Sequence, residues 1–217
     1  MNNTRAFGSM NGVAKEVLDY GPDLSRLLVQ IMQTLAQGRP VAKEQTDRNI
    51  ADVGIERDKA DRFLSQVAER DGNGAITGIM GLSLNDHPHR LYVNGASLSA
   101  WCAMDTLFIP AMLNQTATIE SQSPVSGQTV RVTVSPQKVE VVNPADAVIS
   151  FVVVEPGASN VNSVEAIWGT FCCHIHFFAS RAEAEQWAAG REDIEILSVE
   201  EGFELGKLLS SKFLAET

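Results

Sequence analysis

Asp71-Gly72-Asn73-Gly74-Ala75-Ile76-Thr77-Gly78-Ile79-Met80-Gly81-Leu82-Ser83-Leu84 marks the point where the sequence changes period. The first four residues are a tight-turn signal, and Ala75 to Leu84 alternates well enough for a strand. Before the turn, apolar residues recur every three or four positions; after it, β signals dominate. Helical signals thus fill the chain before the turn, and strand signals follow it.

Upstream, Pro22 opens a helical pattern in which Leu24, Leu27, Leu28, Ile31, Met32 and Leu35 share one face, and Gly38 ends it. Two shorter helical stretches follow, near Lys43 to Val53 and Glu56 to Ala68, separated by Gly54. Three helices and a hairpin outline a winged-helix-like module over residues 21–84, with residues 1–20 as a weakly ordered arm or short helix. DNA binding is the obvious role for such a module. Between Val41 and Arg70, however, six Lys or Arg face seven Asp or Glu, so the helix that would read DNA carries no positive stripe. A packing or covering role fits better.

Downstream, Asp86-His87-Pro88-His89 reads as a polar loop and Leu91 to Val93 as a short strand. Ser97 or Ser99 is expected to cap a helix carrying Cys102, and Pro110 to limit it to two or three turns. Strands are expected over Thr116–Glu120, Thr129–Ser135, Val139–Val142 and Val148–Val154. Glu155 to Thr170 reads as a long loop, and Phe171 to Phe178 as a further strand. Ser180 with Glu183 makes a capping box for the next helix. Ile194 to Val199 is expected as strand, and a helix marked by Phe203, Leu208, Leu209 and Phe213 follows.

Composition narrows the function. The 217 residues are 44% hydrophobic, enough to fill a core, and 17 basic against 27 acidic residues give a net charge of −10. That balance disfavours nucleic acid and anionic membrane as partners. No signal-peptide pattern and no membrane-length apolar run is evident, so the expectation is a cytoplasmic protein. Three cysteines fit reduced thiols better than a disulfide framework.

Chemistry is concentrated in two stretches. Ala100-Trp101-Cys102-Ala103-Met104-Asp105 places a thiol and a carboxyl group three residues apart, on one helix face, in an apolar segment. Asp105 is either a proton carrier beside Cys102, a helix-surface acid, or an acid bonded to a neighbouring backbone amide. Seventy residues later, Phe171-Cys172-Cys173-His174-Ile175-His176-Phe177-Phe178 holds the other two cysteines. On a regular strand Cys173 would share an apolar face with Phe171, Ile175 and Phe177 and read as a core thiol, leaving Cys172 as the reactive candidate. Cys172, His174 and His176 with Cys102 could also bind zinc or copper, although the spaced pairs of a structural zinc site are absent; hydrogen-bonded wall residues are the other reading of the histidines. Phosphate-loop, nucleophile-elbow and dinucleotide motifs are all missing.

Taken together, Trp101-Cys102-Ala103-Met104-Asp105 and Phe171-Cys172-Cys173-His174 resemble the organomercurial (alkylmercury) lyase family. Gly38-Arg39-Pro40-Val41, Thr133-Val134-Ser135-Pro136 and Glu185-Gln186-Trp187 are similar to it as well, and the likeness spans roughly residues 22–213. The family's further cysteine, regarded as structural, has no counterpart here between Ser121 and Gly127. The resemblance implies an α+β fold: a winged-helix-like part followed by a catalytic α+β core, residues 85–217, of small antiparallel sheets flanked by helices. It implies Cys102, Asp105 and Cys172 as catalytic residues that also hold the Hg(II) product transiently. It implies protonolysis of carbon–mercury bonds without an organic cofactor or resident metal, small thiols as co-substrates, and hand-off of Hg(II) to thiols or a mercuric reductase. The rival readings are a thiol-based metal sensor with a DNA-binding winged helix, and a zinc or copper carrier.

Overall fold

The computed structural model describes residues 5–9, 12, 20–154 and 163–214. Seven helices are labelled here: α1 (Pro22–Leu35), α2 (Lys43–Val53), α3 (Arg57–Val67), α4 (Ala103–Leu113), α5 (Val164–Thr170), α6 (Arg181–Trp187) and α7 (Val199–Leu214). The strands are β1 (Ala68–Arg70), β2 (Ile76–Ile79), β3 (Leu82–Ser83), β4 (His89–Val93), β5 (Ala96–Ala100), β6 (Ala117–Gln122), β7 (Thr129–Val134), β8 (Val139–Asn143), β9 (Val148–Val152), β10 (Phe177–Phe178) and β11 (Ile194–Ser198).

The helix α1 follows its sequence pattern: Leu27, Leu28, Ile31, Met32 and Leu35 are sealed from solvent. At the turn after β1, the Asp71 carboxylate accepts the backbone N–H groups of Asn73 and Ala75, both at 2.9 Å. The turn returns the chain antiparallel, with Arg70 opposite Ile76.

From there the strands do not close a free wing. Eight of them form one antiparallel sheet in the order β1-β2-β3-β5-β4-β6-β7-β8. Leu82 of β3 pairs with Ala100 of β5, so hydrogen bonding runs unbroken across residue 84. Alternation along β4 places His89, Leu91 and Val93 inside and Arg90 and Tyr92 outside. A second, three-stranded antiparallel sheet has the order β10-β9-β11. The residues at 5–9 are helical and docked rather than loose: Ser9 Oγ donates to the Val154 carbonyl (3.0 Å) and Ala6 N–H donates to Glu195 (3.2 Å). The rest of the expected arm lies largely outside the described residues.

Four further expectations are corrected. Ser97 and Ser99 lie in β5 and cap nothing; the N-cap of α4 is Cys102 itself. The helix runs through Pro110 to Leu113 instead of ending before it. Phe171 to Phe178 is not one strand: Cys172–His174 is a 3-10 turn, and only Phe177–Phe178 pairs, with β9. Of the expected loop over 155–170, residues 155–162 lie outside the described residues, while 164–170 form α5, capped by Ser163 Oγ accepting Ala166 N–H at 3.1 Å.

At the centre lies α4, buried on every side, as an all-round apolar helix must be. It packs against α7, α1 and the β4–β6 face. Contact with α7 is close because Gly202 and Gly206 carry no side chain: a Cβ at Gly202 would meet Ile149 Cγ2 at 2.9 Å and Leu107 Cδ1 at 3.0 Å. Gly202→Val should therefore force α7 off α4 and cost about 1–3 kcal/mol in urea unfolding; an unchanged midpoint would show that the contact yields freely.

Candidate active site

The strand β5 delivers the chain to the start of α4, and two backbone bonds fix the entry. Trp101 N–H donates to the Gly81 carbonyl (2.9 Å), and Ala103 N–H donates to the Ile175 carbonyl (3.1 Å). The second bond joins the two cysteine stretches directly. Ser150, wholly buried in the apolar strand β9, fixes the other partner. Its Oγ donates to the His174 carbonyl (2.8 Å) and accepts His176 N–H (2.9 Å), and its N–H donates to the His176 carbonyl (3.0 Å). A lone serine in the Val148–Val152 run was the sequence signal for this clamp.

Cys102 and Asp105 form a reciprocal capping box: the sulfur accepts Asp105 N–H, and Asp105 Oδ2 accepts Cys102 N–H at 2.8 Å. A thiol replaces the usual Ser or Thr, and the shorter Asp the usual Glu or Gln. Cys172 enters from the 3-10 turn, and one donor atom from each of Cys102, Asp105 and Cys172 lies within 4.8 Å of the other two. All three residues are buried. Among the described residues this is the one convergence of three or more Cys, His, Asp or Glu donors.

Burial dominates the electrostatics. It pushes the Asp105 carboxyl up to about 7, against the opposing hydrogen bonds from Cys102 and the influence of His87. Burial also raises the Cys102 thiol well above its ordinary value, helped by its hydrogen bond to Cys172 and the nearby Asp105 charge. At Cys172 the bond from Cys102 favours the thiolate, but burial and the charges of Asp105 and Cys173 outweigh it and the net shift is upward. The helix-terminal position does not by itself produce a thiolate. Burial thus favours the neutral thiols, beside a carboxyl group poised near neutrality that can take a thiol proton or give one up.

Gly81 closes one side. Its φ is +90°, and a Cβ there would lie 2.6 Å from Asp105 Oδ1. Both the left-handed backbone and the contact demand glycine. The Met80-Gly81 interruption of an otherwise strand-like run was its only trace in the sequence.

The remaining candidates are placed elsewhere. Cys173 is not the expected core thiol; it is partly exposed, 3.5 Å from His174 Nε2 and from the Gly169 carbonyl. The 3-10 turn separates it from Cys172 in a way that strand alternation did not anticipate, although Cys172 remains the inward member. His174 contacts Arg191 (3.0 Å), and His176 donates from Nε2 to the Cys173 carbonyl (3.0 Å), so no Cys–His–His metal face forms. His89 is buried against Ser121 Oγ (2.8 Å) and held neutral, pushed down to about 3 chiefly by burial. Of the aromatic residues in and around the two cysteine stretches, Trp101, Phe108 and Phe178 are sealed in the core, whereas Phe171 is partly exposed.

The raised carboxyl has a measurable consequence for stability. A group whose folded pKa lies above its unfolded value favours the folded state at low pH, and that contribution is lost as pH rises from about 4 through about 7. The stability of the wild type relative to Asp105→Asn should thus fall by a few kcal/mol between pH 4.5 and 8 in urea titrations; a difference independent of pH would refute the shift. Gly81→Ala should displace the carboxylate and destabilise the fold by about 1–3 kcal/mol, measurable by thermal unfolding.

Comparison with known proteins bears on the family of the whole chain. The alkylmercury lyase family model matches residues 82–211. An alkylmercury lyase of Pseudomonas putida is 35% identical over 199 residues, covering 92% of this chain and 90% of that protein. One from Streptomyces lividans is 37% identical over 188 residues, covering 85% and 81%. The crystal structure of the mercury-bound form of MerB2 superposes with a TM-score of 0.74 at 24% identity, covering 95% of this chain and 99% of that one, a likeness of fold. With a family model over more than half its length and relatives above 30% identity along most of it, the chain belongs to the alkylmercury lyase family.

Proposed function

We propose that the chain cleaves the carbon–mercury bond of organomercurials by protonolysis, with Cys102, Cys172 and Asp105 carrying the chemistry. The observation that supports this reading is the buried convergence of two thiols and one carboxyl group. Mercury is soft and prefers sulfur, so one cysteine displaces the ligand X of R–Hg–X and forms R–Hg–S; its proton leaves with X. The second sulfur then adds to mercury, and Asp105 takes the proton it releases. Added electron density on mercury weakens the bond to carbon. Asp105 returns that proton to carbon, the C–Hg electron pair becomes the C–H bond, and R–H departs. Hg(II) remains on two sulfurs until two small thiols exchange onto it or a mercuric reductase receives it. The balance is R–HgX plus two thiols giving R–H, HX and the dithiolate of Hg(II). It requires no organic cofactor and no resident metal.

We assign the chemistry to residues 85–217 and a covering role to residues 21–84, whose turn at Gly81 closes the side of Asp105. No helix among the described residues is long and apolar enough to cross a membrane, and we place the protein in the cytoplasm, where reduced thiols are available. Against the regulator reading stand the balanced charge of residues 41–70 and the pairing of β3 with β5, which leaves no free wing. Against a zinc or copper carrier stands the separation of His174 and His176 from the thiol pair.

Incubation with phenylmercury and excess small thiol, followed by gas chromatography, should release benzene. Cys102→Ser and Cys172→Ser should reduce release to background, and Asp105→Ala should still bind Hg(II) but turn over about 10²–10⁴-fold more slowly. Cys173→Ser, being partly exposed, should keep turnover within a few-fold and stability within about 0.5 kcal/mol. A Cys172→Ser variant with wild-type turnover would sink the assignment.

A further inference from the structure

The mercury end of a substrate has an evident destination, whereas the organic end does not. Trp101, Phe108 and Phe178 are 0–4% exposed and cannot touch an incoming group without opening the core. Of the aromatic residues close to Cys172 in the chain, Phe171 and Trp168 remain partly exposed. Trp168 sits on α5, a helix with no fully buried residue, which runs directly into the turn holding Cys172. Phe171 N–H donates to the Ile167 carbonyl at 2.9 Å, so helix and turn are one continuous piece.

Trp168 also has a ring neighbour. Its ring lies 5.9 Å from that of His87, tilted by 41°. His87 is held in turn by Glu69, whose Oε1 is 2.9 Å from His87 Nε2, while Oε2 accepts from Asn85 Nδ2 (2.6 Å) and Ser83 Oγ (2.5 Å). Gly78 makes room for that carboxylate, since a Cβ there would collide with it. His87 is also close enough to Asp105 to influence its charge. Trp168 is thus tied by the chain to Cys172 and by ring contact to a residue that acts on Asp105.

We propose that Trp168, its ring set against a His87 anchored by Glu69, is the wall that receives the organic group, and that it biases the chain toward arylmercury over small alkylmercury substrates. The proposal rests on the lyase reading above. A flat ring can lie against the indole in an offset or edge-on arrangement, which a methyl group cannot do. His87 and Glu69 act as positioning residues for that ring.

The test compares phenylmercury with methylmercury as substrates for the full chain, taking the ratio of their kcat/KM values from benzene and methane release. This ratio cancels any difference in the fraction of folded protein. Trp168→Ala and Trp168→Leu should lower it by about three- to tenfold, the scale of an aromatic pair, with the loss in KM for phenylmercury, and Trp168→Phe should restore most of it. An unchanged ratio in both the alanine and leucine variants would overturn the proposal while leaving the lyase reading intact. Release of neither hydrocarbon by the wild type would overturn the lyase reading, and this proposal with it.

Discussion

A helix buried on all sides cannot leave its first amides to water, and this constraint shapes the centre of the molecule. In α4 the free donors are met by the Cys102 sulfur, which accepts Asp105 N–H, and by the Ile175 carbonyl, which accepts Ala103 N–H. Asp105 reciprocates by accepting Cys102 N–H. Two of the three groups assigned to the proposed reaction, Cys102 and Asp105, are thus groups that satisfy the start of the helix. Structural and chemical demands coincide on the same atoms, which explains how a thiol and a carboxyl group persist in so apolar a place. The same burial then raises their proton affinities.

The second cysteine is brought in by a different device. Nothing local to Cys172 directs it inward; the clamp of Ser150 on the backbone at His174 and His176, and the bond between Ala103 and Ile175, set the turn against the start of α4. Two sheets and one buried helix therefore meet at three side chains. The site owes its geometry to backbone bonds between distant segments more than to contacts among the reacting groups.

Much of this was legible in the sequence, and the gaps have physical causes. The periodicities of α1 and α7 and of β6 and β7 mark real elements because each has one face in the core, and burial imprints a period on the residues. Asp105 stood out because a carboxyl group in an apolar segment is costly and needs a partner, whereas Cys172 was singled out by a strand alternation that the structure replaces with a 3-10 turn, although it does lie inward. The reading failed where tertiary context overrode local pattern: the apolar run from Phe171 to Phe178 has strand-like composition, yet its first half is held as a 3-10 turn by bonds to β9. Pro110 did not end α4, since the helix gains more from burial than one missing N–H costs. Gly81 and Ser150 escaped notice because their roles depend on contacts that sequence spacing does not encode.

The unbroken sheet has a consequence for how the chain can be divided. Trimming the molecule to the residues that hold the thiols and the carboxyl group would strip β3 from β5, leaving an open row of backbone donors and acceptors beside the strand that leads into Cys102. Such an edge invites self-association, and the loss of Gly81 would remove the acceptor of Trp101 N–H at the same moment. The amino-terminal helices and strands are therefore not a detachable accessory: evolution and protein engineers alike must keep them, or supply another strand to take their place.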